Sequence, residues 1–238
     1  VQVEPAFWGA FNALGGYLFS RGRIDEAIDA YREVSELAPS SASAHNNLGA
    51  ALQMKGDLRG AAEAYRRSLA IEPAQSAYSN LGTVHYFLGE FDAAVANYER
   101  ATALAGQDQS LWGNLADAVW QIPARREEAI GHYRQAIRLG LRELESRPTD
   151  GVLLAQLGYY YGRVGDAAAS RSYLDQAAAR GADLYVRYYS AVAAADRGDL
   201  DRAREDALAA VQLGYPETLL QADPSLAALG LQKKNTGG

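Results

Sequence analysis

A Leu-Gly pair returns at near-constant intervals along the first half of the chain. It occurs at Leu14-Gly15, Leu48-Gly49 and Leu81-Gly82, at separations of 34 and 33 residues. This period is typical of helical hairpins that bury their apolar faces only against neighbouring copies. The sequence therefore predicts an all-α solenoid with one concave surface and no enclosed catalytic pocket. Each pair is followed by an alanine and a tyrosine, at Ala27/Tyr31, Ala61/Tyr65 and Ala94/Tyr98.

Each repeat is expected to contain two helices, A and B, joined by a turn. Apolar residues fall at three- and four-residue spacing on both sides of a glycine, which is the helical pattern. Glycine suits the left-handed position that ends a helix, and an aspartate often follows it as the N-cap of the next helix. Prolines are expected to stop helix B. The turn glycines are Gly22, Gly56, Gly89, Gly165 and Gly198, and the prolines are Pro39, Pro73 and Pro148.

These marks predict one array over residues 1–231, closed by a cap at 216–231. The fourth repeat is irregular, because Pro123 takes the place of the turn glycine and helix B is expected to continue to about Glu145. The polar segment 232–238 is expected to be a disordered tail. The six repeats are expected to span residues 8–41, 42–74, 75–108, 109–150, 151–183 and 184–215.

Composition argues against several classes of protein. A net charge of −6 and a pI near 5.2 argue against a nucleic-acid surface, which usually concentrates lysine and arginine on one face. No apolar run is long enough for a membrane span. The chain has no cysteine, and only three of its 23 basic residues are lysines, which is the bias of a GC-rich bacterial genome. We therefore expect a bacterial, cytoplasmic protein. The start at Val1, without methionine, suggests an excised domain or a processed product.

The pattern Leu-Gly-x2-Tyr or Leu, then Ala-x3-Tyr, Ala and Pro, resembles the tetratricopeptide repeat (TPR). The match is strongest in the first three repeats and weaker in the fifth, where Ser170 and Leu174 occupy the Ala and Tyr positions. The resemblance implies a right-handed superhelix of about six helix-turn-helix units plus a C-terminal cap. It also implies that the A helices form the inner wall, where members of this family hold partner peptides.

One face of the predicted A helices carries a column of amide side chains. Asn47, Asn80 and Asn114 each come directly before the Leu of their repeat, and Gln156 takes this place in the fifth repeat. An amide offers donors and an acceptor, so a column of them can hold the backbone of an extended peptide. Asp117 lies on the same face. Packing is the alternative explanation, because the amides can also bond to the neighbouring A helix.

Aromatic residues near this face are the second part of the predicted peptide site. Tyr86, Trp120 and Tyr159 exceed what the repeat requires, and tyrosine and tryptophan are frequent at binding hot spots. Packing between repeats is again the alternative, because aromatic residues at helical spacing are usually core. The predicted peptide-binding residues are therefore Asn47, Asn80, Asn114, Asp117, Gln156, Tyr86, Trp120 and Tyr159.

The resemblance offers two peptide-binding modes. One is similar to the arrays of O-linked glycosyltransferases, where an asparagine at this position lines the groove and holds peptide backbone. The other is a two-carboxylate clamp for chaperone C-termini, which needs Lys and Arg at positions held here by Asn12, Gly16, Ser76 and Asn80. We therefore expect the first mode and reject the second.

No motif for catalysis, phosphate binding or metal binding is present. His45, His85 and His132 lie in different repeats without metal-ligand spacing, so we expect no metal, no cofactor and no enzymatic activity. The preferred hypothesis is a protein-interaction scaffold with a protein or peptide ligand, no nucleic acid and no membrane. The alternative is the sensory or substrate-recruiting C-terminal domain of a larger bacterial signalling protein or enzyme. Its signal is the C-terminal pattern from Gly214 to Leu226, which contains Tyr215 and Asp223 and resembles the tails of repeat arrays that end bacterial kinases and winged-helix regulators. A homodimer is a further possibility.

Overall fold

The computed structural model describes residues 5–231, with side chains from Trp8 onward. This part of the chain contains thirteen α-helices and two short 3-10 helices, and no strand. None of its helices combines the length and apolar character that crossing a bilayer requires. The predicted tail at 232–238 lies outside the described residues. Contacts between Cα atoms divide the chain into two compact units, Val1–Leu104 and Ala105–Gly238.

The first compact unit consists of three helix pairs. Within each pair an A helix packs along the B helix that follows it, and α2 and α4 also pack against the A helix of the next pair. Asp57 caps α4 through a bond from the Gly60 amide to its Oδ1. The helices are α1 (Pro5–Ser20), α2 (Ile24–Leu37), α3 (Ala42–Lys55), α4 (Leu58–Ile71), α5 (Gln75–Phe87) and α6 (Phe91–Leu104).

The second compact unit has three further pairs and a C-terminal segment. Its α9 packs against α8, α10 and α11. Helix α11 contacts α9 far more than α10, whereas in the first unit each A helix packs mainly on the preceding B helix. A 3-10 turn over Pro123–Arg125 joins the first two helices, and a second, Pro224–Leu229, closes the described chain. The helices are α7 (Gln109–Trp120), α8 (Arg126–Ser146), α9 (Gly151–Arg163), α10 (Ala167–Ala178), α11 (Leu184–Asp196), α12 (Leu200–Gln212) and α13 (Glu217–Ala222).

Small residues on the A helices let the two helices of a pair approach closely. A Cβ added to Gly49 would lie 2.7 Å from Cε1 of Tyr65, and one added to Gly15 would lie 2.6 Å from the same atom of Tyr31. Both distances are shorter than real Cβ contacts, so the tyrosine ring fills the space that a side chain would need. The glycine of the Leu-Gly element therefore packs directly on the tyrosine of the Ala-x3-Tyr element in the following B helix.

The fourth repeat differs from the others as the sequence predicted. Pro123 starts a 3-10 turn in place of a glycine turn, and α8 extends over 21 residues to Ser146, whereas α2 and α4 have 14 each. After the sixth pair, the C-terminal segment buries four leucines, and its final 3-10 helix packs against α11 and α12. These leucines are Leu219, Leu220, Leu226 and Leu229. One continuous array over both compact units stays a prediction.

Candidate functional site

The amides of the first compact unit link neighbouring A helices. Nδ2 of Asn47, on α3, donates to Oδ1 of Asn12, on α1, at 3.0 Å. Nδ2 of Asn80, on α5, donates at 3.3 Å to Oδ1 of Asn46 rather than to Asn47. The amides therefore link adjacent helix pairs, as expected if they serve packing between neighbouring A helices. The partner of Asn80 is Asn46, which lies one residue away from the predicted column.

These bonds leave part of each amide unused. Asn47 and Asn80 are both partly exposed. Each uses one N–H of its side chain, and within residues 5–231 neither side chain makes a second hydrogen bond. A side-chain carbonyl oxygen and one N–H therefore remain available on each residue. Such a pair of groups matches the donor and acceptor of a peptide bond.

Tyr86, the predicted aromatic contact of this unit, is part of the core. Its side chain is buried. Its ring packs edge-on against Phe91 at 6.0 Å and against Phe87 at 5.8 Å between ring centroids. The structure therefore places Tyr86 in the core rather than on the exposed surface.

In the second compact unit, Asn114 and Gln156 differ in how they are bonded. Gln156, on α9, accepts a hydrogen bond from Nε2 of Gln109 at 2.8 Å and donates to the hydroxyl of Tyr189 at 3.0 Å. Its amide is thus engaged on both sides by α7 and α11. Asn114 is partly exposed, and its side chain makes no hydrogen bond to any residue in the part of the chain that the structure describes.

Asp117 lies at the centre of a buried set of hydrogen bonds. Its Oδ1 accepts from the hydroxyls of Tyr133 and Tyr159, each at 2.6 Å. The three residues come from α7, α8 and α9, and both tyrosines are buried. The two hydroxyls also lie 3.3 Å apart. One carboxylate oxygen therefore joins three helices.

Arg163 extends this set toward Trp120 and Asp196. Its Nε donates to the Tyr159 hydroxyl at 3.0 Å and lies 2.9 Å from Oδ2 of Asp196, on α11. Its guanidinium also lies 4.7 Å from the ring centroid of Trp120 and 5.2 Å from that of Tyr159, within the range of cation–π attraction. We call these six residues the polar cluster: Asp117, Trp120, Tyr133, Tyr159, Arg163 and Asp196.

Burial controls the ionisation of the polar cluster. It raises the pKa of Asp117 to about 6, against the opposing effects of the Arg163 charge and the two tyrosine hydroxyls. Burial also raises the pKa of Asp196, again opposed by Arg163. For Arg163, burial acts to lower the pKa, but Tyr159, Tyr133 and the two carboxylates reverse this and raise it. The arginine therefore stays charged throughout the pH range in which Asp117 titrates.

The structure brings together only some of the predicted site residues. Asp117, Trp120 and Tyr159 belong to the polar cluster, and of these Tyr159 is buried whereas Asp117 and Trp120 are partly exposed. Tyr133, Arg163 and Asp196 were not predicted as site residues. A signal for Arg163 existed, because it shares the helix face of Gln156 and Tyr159. Tyr133 occupies the tyrosine position of its repeat, which indicated only packing.

The polar side chains of the cluster bond mainly to one another. Oδ1 of Asp117 accepts hydrogen bonds from two tyrosine hydroxyls, and Arg163 is bonded to Tyr159 and Asp196. Among residues 5–231, no group of three or more histidine, aspartate or glutamate side chains is placed to hold a metal ion. The cluster instead fixes the relative positions of α7, α8, α9 and α11.

Comparison with known proteins places this architecture among repeat proteins. The "Hsp70-Hsp90 organizing protein" of Triticum aestivum is 28% identical over 135 residues, which are 53% of this chain and 23% of that protein. The chain thus spans about a quarter of this relative. The Pseudomonas aeruginosa pilF structure superposes with a TM-score of 0.59 at 21% identity, covering 90% of this chain and 95% of pilF.

A second solved structure is a complex with a peptide. It is the first TPR of Spaghetti (RPAP3) bound to the HSP90 peptide SRMEEVD. It is 21% identical, with a TM-score of 0.50, and covers 52% of this chain and 98% of that one. At these identities the two solved structures establish the fold alone.

The family match covers nearly the whole chain. The family model described as the cilia and flagella-associated protein 70 C-terminal domain matches residues 4–225. Together with the stacked helix pairs and the repeat-protein neighbours, this match confirms the predicted fold class, an all-α TPR solenoid. The chain belongs to the tetratricopeptide-repeat family of the cilia and flagella-associated protein 70 C-terminal domain.

Proposed function

We propose that this chain is a protein-interaction scaffold that binds a peptide segment of a partner protein along its A-helix faces and catalyses no reaction. One observation carries the proposal. Asn114 lies at the predicted peptide-facing position of α7, is partly exposed, and bonds to no other described residue. A partly exposed amide that the scaffold does not use is free to bind a peptide backbone. The unused groups of Asn47 and Asn80 support the same role.

The relatives support a protein or peptide as the class of ligand. One is named as an organizing protein for two chaperones, and one structure holds a chaperone peptide. Because the chain spans only 23% of the first relative, its specific partners do not transfer. The class of ligand is what we carry over to this chain.

The ligand we propose is an extended segment held by its backbone rather than an acidic chain terminus. In the first compact unit, Asn12 and Asn47 bond to each other, and the other positions of the carboxylate clamp hold Gly16, Ser76 and Asn80. None of these side chains carries a positive charge. A pair of terminal carboxylates would therefore lose its hydration without gaining a cationic partner.

Three of the predicted site residues contribute to the proposed site only by positioning its helices, namely Asp117, Tyr86 and Tyr159. Tyr86 and Tyr159 are buried, and Asp117 is bonded to two tyrosines. Trp120 is the aromatic residue that we propose contacts the ligand directly. It is partly exposed and held by cation–π contacts to Arg163 at 4.7 Å and Arg126 at 5.4 Å from its ring centroid. A ring fixed in this way loses little conformational entropy on binding.

A selection from a display library of random peptides, followed by calorimetry, tests the proposal. Asn114→Ala should weaken binding of the selected peptide about fivefold or more, which corresponds to one lost hydrogen bond. Asn97→Ala is the matched control, because Asn97 lies on α6 and donates to the Ala93 carbonyl of its own helix at 2.7 Å. Equal binding by the two variants, or no selectable peptide, would contradict the proposed site.

The alternative role within a larger signalling protein stays a prediction. Its sequence signal was the C-terminal pattern around Tyr215 and Asp223, and both residues are buried in the cap. The Tyr188 hydroxyl donates to Oδ2 of Asp223 at 2.6 Å, and the Tyr188 ring stacks on Tyr215 at 4.9 Å. Packing accounts for this pattern. Sequencing upstream of Val1 tests the alternative, and light scattering tests the predicted homodimer. The cytoplasmic location likewise stays a prediction.

A further inference from the structure

The outward face of helix α8 carries three unpaired arginines. Arg134, Arg138 and Arg142 are spaced four residues apart, so they lie on one face of the helix at intervals of about 6 Å. All three are exposed, and none forms an ion pair with a residue of the described chain. Arg138 donates only to Gln135, an uncharged residue of the same helix. We call these three residues the arginine row.

No acidic side chain of the same stretch of α8 offsets the row. Residues 130–142 contain no aspartate or glutamate, although the chain has 29 acidic residues against 23 lysines and arginines. Two carboxylates line a cleft together with Arg142, but both have other partners. Asp108 caps α7, and Glu143 pairs with Arg147 at 2.8 Å. The row therefore presents positive charge without a matching group.

The arginine row does not stabilise the helix that carries it. Like charges four residues apart on a helix repel each other, and the row contains two such pairs. Other helices of this chain place opposite charges at a similar spacing. Arg32 pairs with Asp29 on α2, and Arg67 pairs with Glu63 on α4. An anionic group from outside the described chain would therefore relieve the repulsion within the row.

The row lies on a side of α8 that does not take part in stacking. Helix α8 packs on α7, on the 3-10 turn before it and on α9. Its opposite side makes these contacts and buries Ala129, Tyr133 and Ala136. A repeat array grows by adding pairs at its ends. Further repeats before or after the described chain would therefore leave the arginine row exposed.

Two more features of this face suit close contact with another helix. Gly131 lies one turn before Arg134 and is exposed, and a Cβ added to it would meet no atom within 4 Å. The packing of the chain therefore does not require glycine here, although glycine destabilises a helix interior. Its missing side chain lets another backbone approach. Beside the row, Ile130 and Leu141 are partly exposed and lie three turns apart.

We propose that this face of α8 docks an amphipathic α-helix of a partner protein, with carboxylates opposite the arginine row and apolar side chains opposite Ile130 and Leu141. A helix matches the row, because residues four apart on it are also separated by about 6 Å. Arginine binds a carboxylate through two parallel N–H groups, which fixes the register of the two helices. The site is separate from the A-helix faces proposed to bind peptide.

A second copy of this chain fits the row less well than another protein does. Its helix α2 has Asp25, Asp29 and Glu33 at the same four-residue spacing. Asp25 already pairs with Lys55 at 2.6 Å, and Asp29 pairs with Arg32 at 3.5 Å. Two of the three carboxylates are therefore engaged within their own chain.

Nucleic acid also fits less well. Proteins that bind it usually spread basic residues over a wide surface. Here the unpaired arginines of α8 lie on one helix face, and the chain has a net charge of −6. Phosphates beyond the row would therefore face a mostly acidic protein. The spacing and the charge together favour an acidic helix.

The probe is an alanine-based helical peptide of about 20 residues. It carries glutamate at three positions four residues apart and leucines on the adjacent row. The control peptide has glutamine in place of each glutamate, which keeps the length, the leucines and the helix propensity. Fluorescence anisotropy with the full chain at about 50 mM salt measures both affinities, because higher salt screens exposed charges. We expect the glutamate peptide to bind about tenfold tighter than the glutamine peptide.

Replacing all three arginines of the row by glutamine should remove this preference. The thermal midpoint of this variant should not fall, because the replaced side chains are exposed and repel each other. The matched control removes the same charge from three exposed arginines of α4, α6 and α10 that form no ion pair in the described chain. It should keep the preference. The control substitutions are Arg59→Gln, Arg100→Gln and Arg171→Gln.

Gly131→Gln tests the close approach without changing any charge. Its side chain would stand between the two helices, so we expect both peptides to bind about threefold weaker or more. The fold should tolerate this variant, because no atom lies within 4 Å of the new Cβ. Unchanged affinities would contradict a helix packed on this face.

Four further outcomes would overturn the proposal. Equal affinity of wild type for the two peptides would exclude the carboxylates, and equal losses for the row variant and its control would leave only net charge. Tighter binding of single-stranded DNA of about 15 nucleotides, lost in the row variant, would assign the row to nucleic acid. Self-association lost in the row variant would assign it to a second copy. Asn114→Ala should bind the glutamate peptide normally, so this test and that of the A-helix face fail independently.

Discussion

The hydroxyl of Tyr159, on α9, donates to Oδ1 of Asp117, on α7, at 2.6 Å, although the two residues belong to different helix pairs. The same hydroxyl accepts a hydrogen bond from Arg163. Tyr159→Phe should therefore lower the free energy of unfolding by about 1–3 kcal/mol, because it removes two hydrogen bonds to charged groups in the polar cluster, while Tyr133 still bonds to Asp117 and Asp196 to Arg163. Urea unfolding followed by circular dichroism measures this change.

Tyr161→Phe is the control for this substitution. Tyr161 is partly exposed and stacks on Tyr173 at 5.3 Å, and its hydroxyl bonds to no described residue. Its removal should change stability by less than about 0.5 kcal/mol. Similar losses for the two variants would show that the bonds of Tyr159 contribute no stability.

Asp117 should make stability depend on pH. Its pKa is about 6 in the folded chain and 3.8 ordinarily, so the folded state holds this proton more tightly. This tighter proton binding adds about 3 kcal/mol to the free energy of unfolding. The added stability is complete below about pH 4 and is lost as the pH rises through about 6. Asp117→Asn removes this titration. The stability of wild type relative to the variant should therefore fall between pH 4 and about 7 in urea titrations. Parallel pH profiles for the two proteins would contradict the raised pKa of Asp117.

Two asparagines on equivalent helices should differ in their effect on stability. Asn47→Ala removes the bond to Asn12 between α3 and α1, so it should cost about 1 kcal/mol. Asn114→Ala removes no bond within the described chain, so its unfolding midpoint should stay within about 1 °C of wild type. Differential scanning calorimetry of both variants makes the comparison. An equal loss for both would indicate that Asn114 also serves packing.

Substitution by alanine should change stability in opposite directions at two glycines of this chain. Gly49→Ala places a Cβ 2.7 Å from the Tyr65 ring, so overpacking should cost about 1–3 kcal/mol. Gly131→Ala, on α8, has no atom within 4 Å of the new Cβ and should gain about 0.5–1 kcal/mol from the restricted unfolded chain. Urea unfolding of the pair tests the close approach of α3 and α4. A tolerated Gly49→Ala would contradict it.

The sequence allowed the helix pairs to be predicted because their signals are local. Gly49 and Tyr65 lie in one pair, and the spacing of Leu, Gly, Ala and Tyr is set by the geometry of that pair. The long α8 was predictable for the same reason, since apolar spacing continues past Gly140. Leu14 shows where such a signal fails. It occupies the core position of the motif but is 46% exposed, because no described helix precedes α1.

The polar cluster could not be predicted from spacing alone. Asp117, Arg163 and Asp196 come from three A helices, and their contacts depend on how the pairs stack in space. Periodicity assigns residues to a helix face but does not say how deep they lie. Tyr86 and Tyr159 were therefore predicted as surface contacts, whereas both are buried. Asn114, by contrast, lies where the face was expected to meet solvent.

The position of Asp117 has a consequence for how the second compact unit opens. In most repeat arrays, each module interacts only with its neighbours, so the ends fray one module at a time. Here Oδ1 of Asp117 and the neighbouring Arg163 connect side chains of the fourth, fifth and sixth modules through hydrogen bonds and an ion pair. Losing any one module exposes buried polar groups in the other two. We therefore expect amides of α7, α9 and α11 to exchange their hydrogens for deuterium at a common rate, as one cooperative block.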